Sequence, residues 1–280
     1  MIAGTVVNGL AVVAPALAGR AAYRMFAYAG ARVRLRDSEA AVHAEAVVDP
    51  IIVNGNEVRT YRWGDGSRPV LLIHGWQSRA SRFAAFIPRL RELGYTAVSF
   101  DAPGNGESGG RFTTAVDFAE AARQIQRRYG PFEAIVTHSF GSLCAFLAVR
   151  DGVRAGRLVT ISGVADFGLL AGEFARQVGL SPRSRAALAT RTGQLFGTEL
   201  WRRLSARYRP EEIDLPTLVI HDQDDRVIDP GQAAVITEAF GSRVRRIVTS
   251  GLGHHRILGD PAVIDATLSF LTEPATPAAR

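Results

Sequence analysis

Thr137-His138-Ser139-Phe140-Gly141 sets a serine between a short apolar strand, Ala134-Ile135-Val136, and the start of a helix-forming run. A hydroxyl that must stand clear of a sheet edge needs a tight, strained strand-to-helix turn, and small residues two positions before and after it fit that turn best. Gly141 meets the requirement, whereas Thr137 brings a β-branched residue where glycine is usual. A serine so placed is a weak nucleophile and needs a base, itself oriented by a third group. Both are available further along the chain. Leu218-Val219-Ile220-His221-Asp222-Gln223-Asp224-Asp225 is an apolar run that breaks into an acidic loop, and Ser250-Gly251-Leu252-Gly253-His254-His255 follows the run Arg246-Ile247-Val248-Thr249. Asp225 is the candidate acid, with Asp222 and Asp224 as competitors. His254 is the candidate base, favoured over His255 by the tight Gly-Leu-Gly approach. The chemistry such a set performs is attack on a carbonyl carbon, with proton transfer through the imidazole.

These groups work only if the fold gathers them. Val70 to Ile73, Thr96 to Phe100, Ala134 to Thr137, Leu158 to Ser162, Leu218 to Ile220 and Arg246 to Thr249 are β-rich runs without polar alternation, as expected of strands buried on both faces of a parallel sheet. Helical patterns at Ser81 to Leu93, Ala115 to Tyr129, Gly141 to Arg150, Gly231 to Phe240 and Pro261 to Leu271 separate most of them. This alternation predicts a doubly wound α/β sheet. All three candidates then fall just past strand ends, at the edge where open α/β sheets hold their ligands. Ahead of this region, Ala41 to Val48, Ile51 to Val53 and Glu57 to Trp63 read as antiparallel strands, with Asn54-Gly55 as a hairpin signal. Between Ser162 and Leu215 no strand is evident, and Ala165 to Ala206 reads as helical. A single crossover needs far fewer residues, so an inserted lid is expected there.

The chain has 280 residues, 47% of them apolar, and a net charge of +6 carried by arginine without a single lysine. The absence of lysine excludes a P-loop lysine, a Schiff-base lysine and a Ser-Lys dyad. The arginines are scattered rather than gathered into a stripe, so no nucleic-acid partner is expected. Arginines of the inserted region, Arg176, Arg183, Arg185 and Arg191, fit a solvated helix face better than contact with an anionic substrate. Cys144 stands alone, which rules out an intrachain disulfide and reads as a small core residue. The histidines and aspartates lack ligand-like spacing, so no metal is expected, and no cofactor is implied. Gly104, Gly106 and Gly109 spell a dinucleotide fingerprint, but Asp101-Ala102-Pro103 intervenes between strand and glycines, and the following strand leads to Ser139. Ile2 to Gly19 is almost free of charge but rich in alanine and glycine, and its arginines, Arg20 and Arg24, come after the apolar run. That order does not suit a signal peptide. A helix packed on the domain or on a partner is expected, then peripheral membrane contact, then a spanning anchor. The tail from Glu273 to Arg280 reads as frayed.

Four motifs in order resemble those of the α/β-hydrolase-fold serine hydrolases over roughly Glu57 to Leu271. His74-Gly75-Trp76 resembles the family's oxyanion segment, and Asp101-Ala102-Pro103-Gly104-Asn105-Gly106-Glu107-Ser108 resembles its Asp-x-Pro-Gly-His-Gly-x-Ser turn, with Asn105 in place of the histidine. The serine turn and the acid and histidine loops complete the set. The resemblance implies an α/β-hydrolase fold, a doubly wound and mostly parallel sheet with a helical lid insertion. Residues 1–40 would form an N-terminal helical segment and 41–280 the hydrolase domain, with 165–212 as the lid. It further implies catalytic Ser139, Asp225 and His254, the acid because it precedes Arg226-Val227, and an oxyanion hole from the backbone N–H groups of Trp76 and Phe140. His74 would be structural and His138 a neighbour on the turn. A small acyl substrate and a cytoplasmic location, with membrane association through the first helix, follow as expectations. The competing reading is a binding or scaffold protein that keeps the fold without turnover.

Overall fold

Alternate side chains of the short apolar runs leave the sheet on opposite faces, and both faces are covered. Val70 and Leu72 enter one core with Ala134, Val136, Val159, Ile161, Leu218 and Ile220, while Leu71 and Ile73 enter the other with Ile135, Leu158 and Val219. This is the period of two that a pleated strand imposes. The computed structural model describes residues 2–274, so part of the tail from Glu273 onward lies outside the described residues. Its strands are β1 (Val47–Val53), β2 (Asn56–Trp63), β3 (Pro69–Ile73), β4 (Thr96–Phe100), β5 (Ala134–His138), β6 (Leu158–Ile161), β7 (Thr217–Asp222) and β8 (Val244–Thr249). They form one sheet in the order β1-β2-β4-β3-β5-β6-β7-β8. Pairing is parallel from β4 across to β8 and antiparallel at β1 and β2. Asn54 and Gly55, at φ +47° and +77°, make the β1–β2 hairpin turn that their types predict. Pro50 lacks an N–H and sits on β1, an edge strand where that lack is tolerated.

The helices are α1 (Ile2–Val13), α2 (Pro15–Ala27), α3 (Asp37–Ala44), α4 (Phe86–Glu92), α5 (Ala115–Tyr129), α6 (Gly141–Arg150), α7 (Phe167–Gln177), α8 (Pro182–Phe196), α9 (Leu200–Arg203), α10 (Gly231–Phe240), α11 (Gly253–Arg256) and α12 (Pro261–Thr272). Two expectations are corrected. The segment beginning at Ala41 is not a strand: α3 ends at Ala44 and β1 starts only at Val47. The alanines favour helix, and the Glu39 carboxylate reaches back to the Arg36 N–H to close its first turn. The run Ser81 to Leu93 is not one helix, because a 3₁₀ turn at Ala80–Phe83 precedes α4. Pro88 cannot extend a helix from upstream, but it fits within the first turn of a new one.

α1 and α2 are separate helices because Pro15 restarts the chain after a non-helical Ala14. They pack on the helices that lie between β6 and β7, not on the sheet. Val7, Ala11, Ala18 and Ala22 share a core with Ala175, Leu180, Ala187 and Leu188. Asn8 completes the joint: its amide donates to Gly179 O at 2.8 Å, and its oxygen accepts from Ser181 N at 2.8 Å and from the Ser184 hydroxyl at 2.7 Å. Val6, Val12 and Val13 of α1 and Leu17 of α2 remain exposed. Among the described residues no helix is long and apolar enough to cross a membrane.

Close approach of the backbones makes this joint sensitive to size. A Cβ on Gly19 would lie 2.5 Å from Ala187 O, whereas one on Gly9 would meet nothing within 4 Å. Gly19→Val is therefore expected to destabilise the protein by about 1–3 kcal/mol, lowering Tm by about 2–4 °C for each kcal/mol. Gly9→Ala should instead stabilise by roughly 0.5–1 kcal/mol through helix propensity. Thermal unfolding of the two variants measures both.

Candidate active site

β5 ends at His138, and the next residue leaves the sheet in a left-handed turn, Ser139 standing at φ +56°. Left-handed backbone at a non-glycine residue costs about 1–3 kcal/mol and persists only where its surroundings hold it. The surroundings are two Cβ-free positions. A Cβ on Gly141 would lie 2.5 Å from Ile73 O, and one on Gly75 would lie 3.0 Å from the Ser139 Cβ. Thr137 does not disturb the turn. It is still in the strand, paired with Ile73 and Thr160, and its buried hydroxyl donates to Val159 O at 3.0 Å.

β7 ends at Asp222, with Asp224 and Asp225 in the loop just after it, and the structure gives each of the three a different partner. The Asp225 carboxylate accepts from His254 Nδ1 at 2.7 Å, and its other oxygen accepts from the Val227 and Ile228 N–H groups at 2.8 and 2.9 Å. Asp222 accepts from the Thr249 hydroxyl at 2.8 Å, Leu252 N at 3.1 Å and Asp224 N at 3.0 Å. Asp224 accepts from Gly251 N at 2.7 Å. Asp222 and Asp224 thus strap the β8–α11 loop to the β7 exit, and Asp225 alone meets the histidine. Burial by itself would raise the Asp225 carboxyl; hydrogen bonds from His221, His254 and Ile228, with the attraction of His254, outweigh it and hold the group well below the usual carboxylate range. Asp222 is lowered in the same way, its hydrogen bonds from Thr249 and the loop amides overcoming burial.

His221 is a member of this site that the sequence reading left aside. It is buried four residues before Asp225, with Nε2 3.3 Å from Asp225 Oδ2 and 3.2 Å from Ile228 O. It stands at the end of an apolar strand just ahead of an acidic loop, a position that does not by itself say which group the ring meets. His138 is more than a neighbour of Ser139. Its Nε2 N–H donates to His254 O at 2.8 Å, and the two rings lie 4.7 Å apart. The residue before the serine therefore holds the backbone of the histidine.

His254 and Ser139, at 7% and 8% exposure, both line the two cavities that meet at the site. No hydrogen bond joins them among the described residues; such bonds often tighten only with substrate in place. With Nδ1–H given to Asp225, the imidazole keeps Nε2 as an acceptor. Trp76 and Phe140 meet edge to face with ring centroids 5.4 Å apart. Among the described residues neither backbone N–H has a protein acceptor. His74 anchors that loop from below: Nδ1 donates to Gly75 O at 2.7 Å and Nε2 accepts from Ala102 N at 3.0 Å, a role that fits the neutral ring burial favours. The 101–108 turn is likewise internal scaffolding. Asp101 accepts from Ala80 N, Tyr61 OH and Glu107 N, and Asn105 donates to Pro103 O. Its glycines open no helix, since α5 begins only at Ala115.

The site opens into an apolar cavity of about 440 Å³ walled by Tyr23 and Phe26 of α2, Phe167 and Phe174 of α7, Phe196 of α8 and Leu200 of α9. Phe26 sits edge-on to Phe167 and Phe174 at 5.5 and 5.0 Å. α2 thus completes a wall begun by α7–α9, a contact between residues far apart in the chain.

The family model for the alpha/beta hydrolase family matches residues 70–267. No curated protein matches the chain. Among solved structures, an esterase from Exiguobacterium antarcticum is 17% identical, with 81% of this chain and 100% of that one covered at a TM-score of 0.63. A membrane phospholipase A described as a bacterial virulence factor is 19% identical, covering 95% of this chain and 94% of its own at 0.62. The thioesterase domain of a curacin biosynthetic pathway is 16% identical, covering 81% and 99% at 0.59. At these identities the likeness is one of fold.

Burial and the neighbouring His254 push His138 down from 6.5 to about 3. Unfolded chains bind the His138 proton below pH 6.5 and the folded protein does not, so stability from this group is present above that pH and is lost as pH falls toward 3. His138→Gln keeps a donor for His254 O and removes the titration. Wild-type unfolding free energy, measured with denaturant, should fall faster than the variant's by about 1.4 kcal/mol per pH unit in this window.

Proposed function

The chain belongs to the alpha/beta hydrolase family, and from that premise we propose that it is a serine hydrolase cleaving a carboxylic ester or related acyl compound through an acyl-enzyme. The observation that carries the reading is a serine held in left-handed geometry at a strand exit, in one cavity wall with a histidine hydrogen-bonded to a carboxylate. Ser139 Oγ attacks the acyl carbon as His254 Nε2 takes its proton. The oxygen of the tetrahedral intermediate is received by the N–H groups of Trp76 and Phe140. His254 then returns the proton to the leaving group as the carbon–leaving-group bond breaks, and water repeats the sequence on the acyl-Ser139 ester. Asp225 keeps the imidazole in the tautomer that makes Nε2 the base, and His221 gives that carboxylate a second donor. The helices of 165–212 act as a lid, and their aromatic wall with Tyr23 and Phe26 receives the apolar acyl group.

The three-way sorting of the aspartates supplies the test. Asp225→Asn is expected to fold and to lower kcat on a p-nitrophenyl acyl ester by about 10⁴-fold, the scale of losing the tautomer-setting acid. Asp222→Asn should cost far less activity. Comparable turnover by Asp225→Asn and wild type would contradict the assignment.

A further inference from the structure

The apolar cavity is one of two that meet at the site. A second, of about 760 Å³, shares Trp76, Gln77, Ser139, His254 and His255 with it and extends the other way, to walls that carry Arg36, Arg82 and Arg256. Its carboxylates are already engaged. Glu39 is ion-paired with Arg82 and accepts from the Ser81 hydroxyl at 2.6 Å, and Asp260 accepts from Val263 N at 3.0 Å as the cap of α12. Arg36 reaches no carboxylate closer than this same Glu39, at 3.7 Å. Arg256 donates to the carbonyls of Leu252 and Gly251 and forms no ion pair among the described residues. Three arginines therefore face two carboxylates that are spoken for, and the wall is left positive. The excess is felt at His255, the neighbour of His254 in the chain. His255 is lowered by burial first and by His254 next, and the cations Arg36 and Arg82 depress it further against the pull of Asp225.

We propose that this polar cavity is the leaving-group subsite and takes a phosphate-bearing alcohol or thiol, with the acyl chain in the apolar cavity on the other side of Ser139. The proposal rests on the acyl-transfer reading above and names its substrate class: an acyl ester whose leaving group is anionic. Guanidinium groups from three separate segments, with Ser38 and Ser78 on the same walls, present donors from several directions, which suits a three-oxygen phosphate better than a planar carboxylate. In the reaction Ser139 Oγ bonds to the acyl carbon, the bond from that carbon to the leaving oxygen or sulfur breaks, and the proton held by His254 goes to the leaving atom. The phosphate takes no covalent part.

The test compares two esters with one medium-length acyl chain, a monoacylglycerol and the same monoacylglycerol carrying a phosphate on its free terminal hydroxyl, both below their micellar concentration. Wild type should favour the phosphate ester in kcat/KM by about tenfold, the scale of a charge-assisted hydrogen bond at a part-exposed site. In Arg36→Gln/Arg256→Gln that ratio should fall to near one, and Arg36→Gln alone, at a mainly exposed position, should lower it part of the way. Free glycerol phosphate should inhibit monoacylglycerol hydrolysis by wild type more strongly than by the double variant. A wild-type ratio near one, or a ratio that survives the double substitution, would overturn the subsite and leave the hydrolase reading intact. Turnover of neither ester by wild type would overturn the hydrolase reading and the subsite with it.

Discussion

A methyl group at residue 141 would sit 2.5 Å from the carbonyl oxygen of Ile73, and that closeness governs how the chain leaves the central strand. β5 lies between β3 and β6, so its exit has backbone on both sides and no room to bulge outward. The chain turns at once into α6, and the turn is made by placing Ser139, not a glycine, at positive φ. The serine is raised off the sheet edge as a consequence of packing. Gly75 removes the remaining obstacle by letting the β3 exit pass against the serine without a side chain between them. The cost of the strained residue is met by the many backbone and core contacts around it, as strain at functional positions generally is.

Once the serine is placed, the other groups are brought to it by polar bonds between strand exits rather than by apolar packing. Asp222 and Asp224 bind the amides of the loop after β8, and Asp225 is left to meet His254. His138 closes the circuit from the serine side by holding His254 O. Apart from the exposed Asp224–Gly251 contact, every link is buried or half-buried, where a hydrogen bond left unmade costs more than one formed contributes. The arrangement is therefore expected to be held or lost as a unit. The two cavities divide the surroundings by chemistry: aromatic rings of α2, α7 and α8 on one side, arginines of the segment before α3 and of α11 on the other.

Much of this was legible in the chain before any coordinates. Ser139, Asp225 and His254 each follow a β-rich run, and a parallel sheet puts all such exits on one edge. The limits of α5, α6 and α10 were readable because Gly130, the turn at Ser139 and Gly241 mark them. Other features were hidden because they depend on distant partners. Alternating alanines and valines near Ala41 suit a helix or a strand equally, and the Glu39 cap decided between them. The docking of α1 and α2 on α8 joins Asn8 to Ser184, 176 residues away, through contacts that no local period announces. The roles of His138 and His221 were equally hidden, since a histidine beside a serine or at the end of a strand reads the same whether it binds a carbonyl, a carboxylate or nothing.

The proposed function requires that Ser139, in its left-handed turn, be an activated nucleophile and not an inert hydroxyl. Intact-mass detection of labelling by a fluorophosphonate probe tests this without knowledge of the substrate. A single adduct is expected on the wild type and none on Ser139→Ala. A well-folded wild type that takes no label, or a Ser139→Ala protein that takes as much, would contradict it.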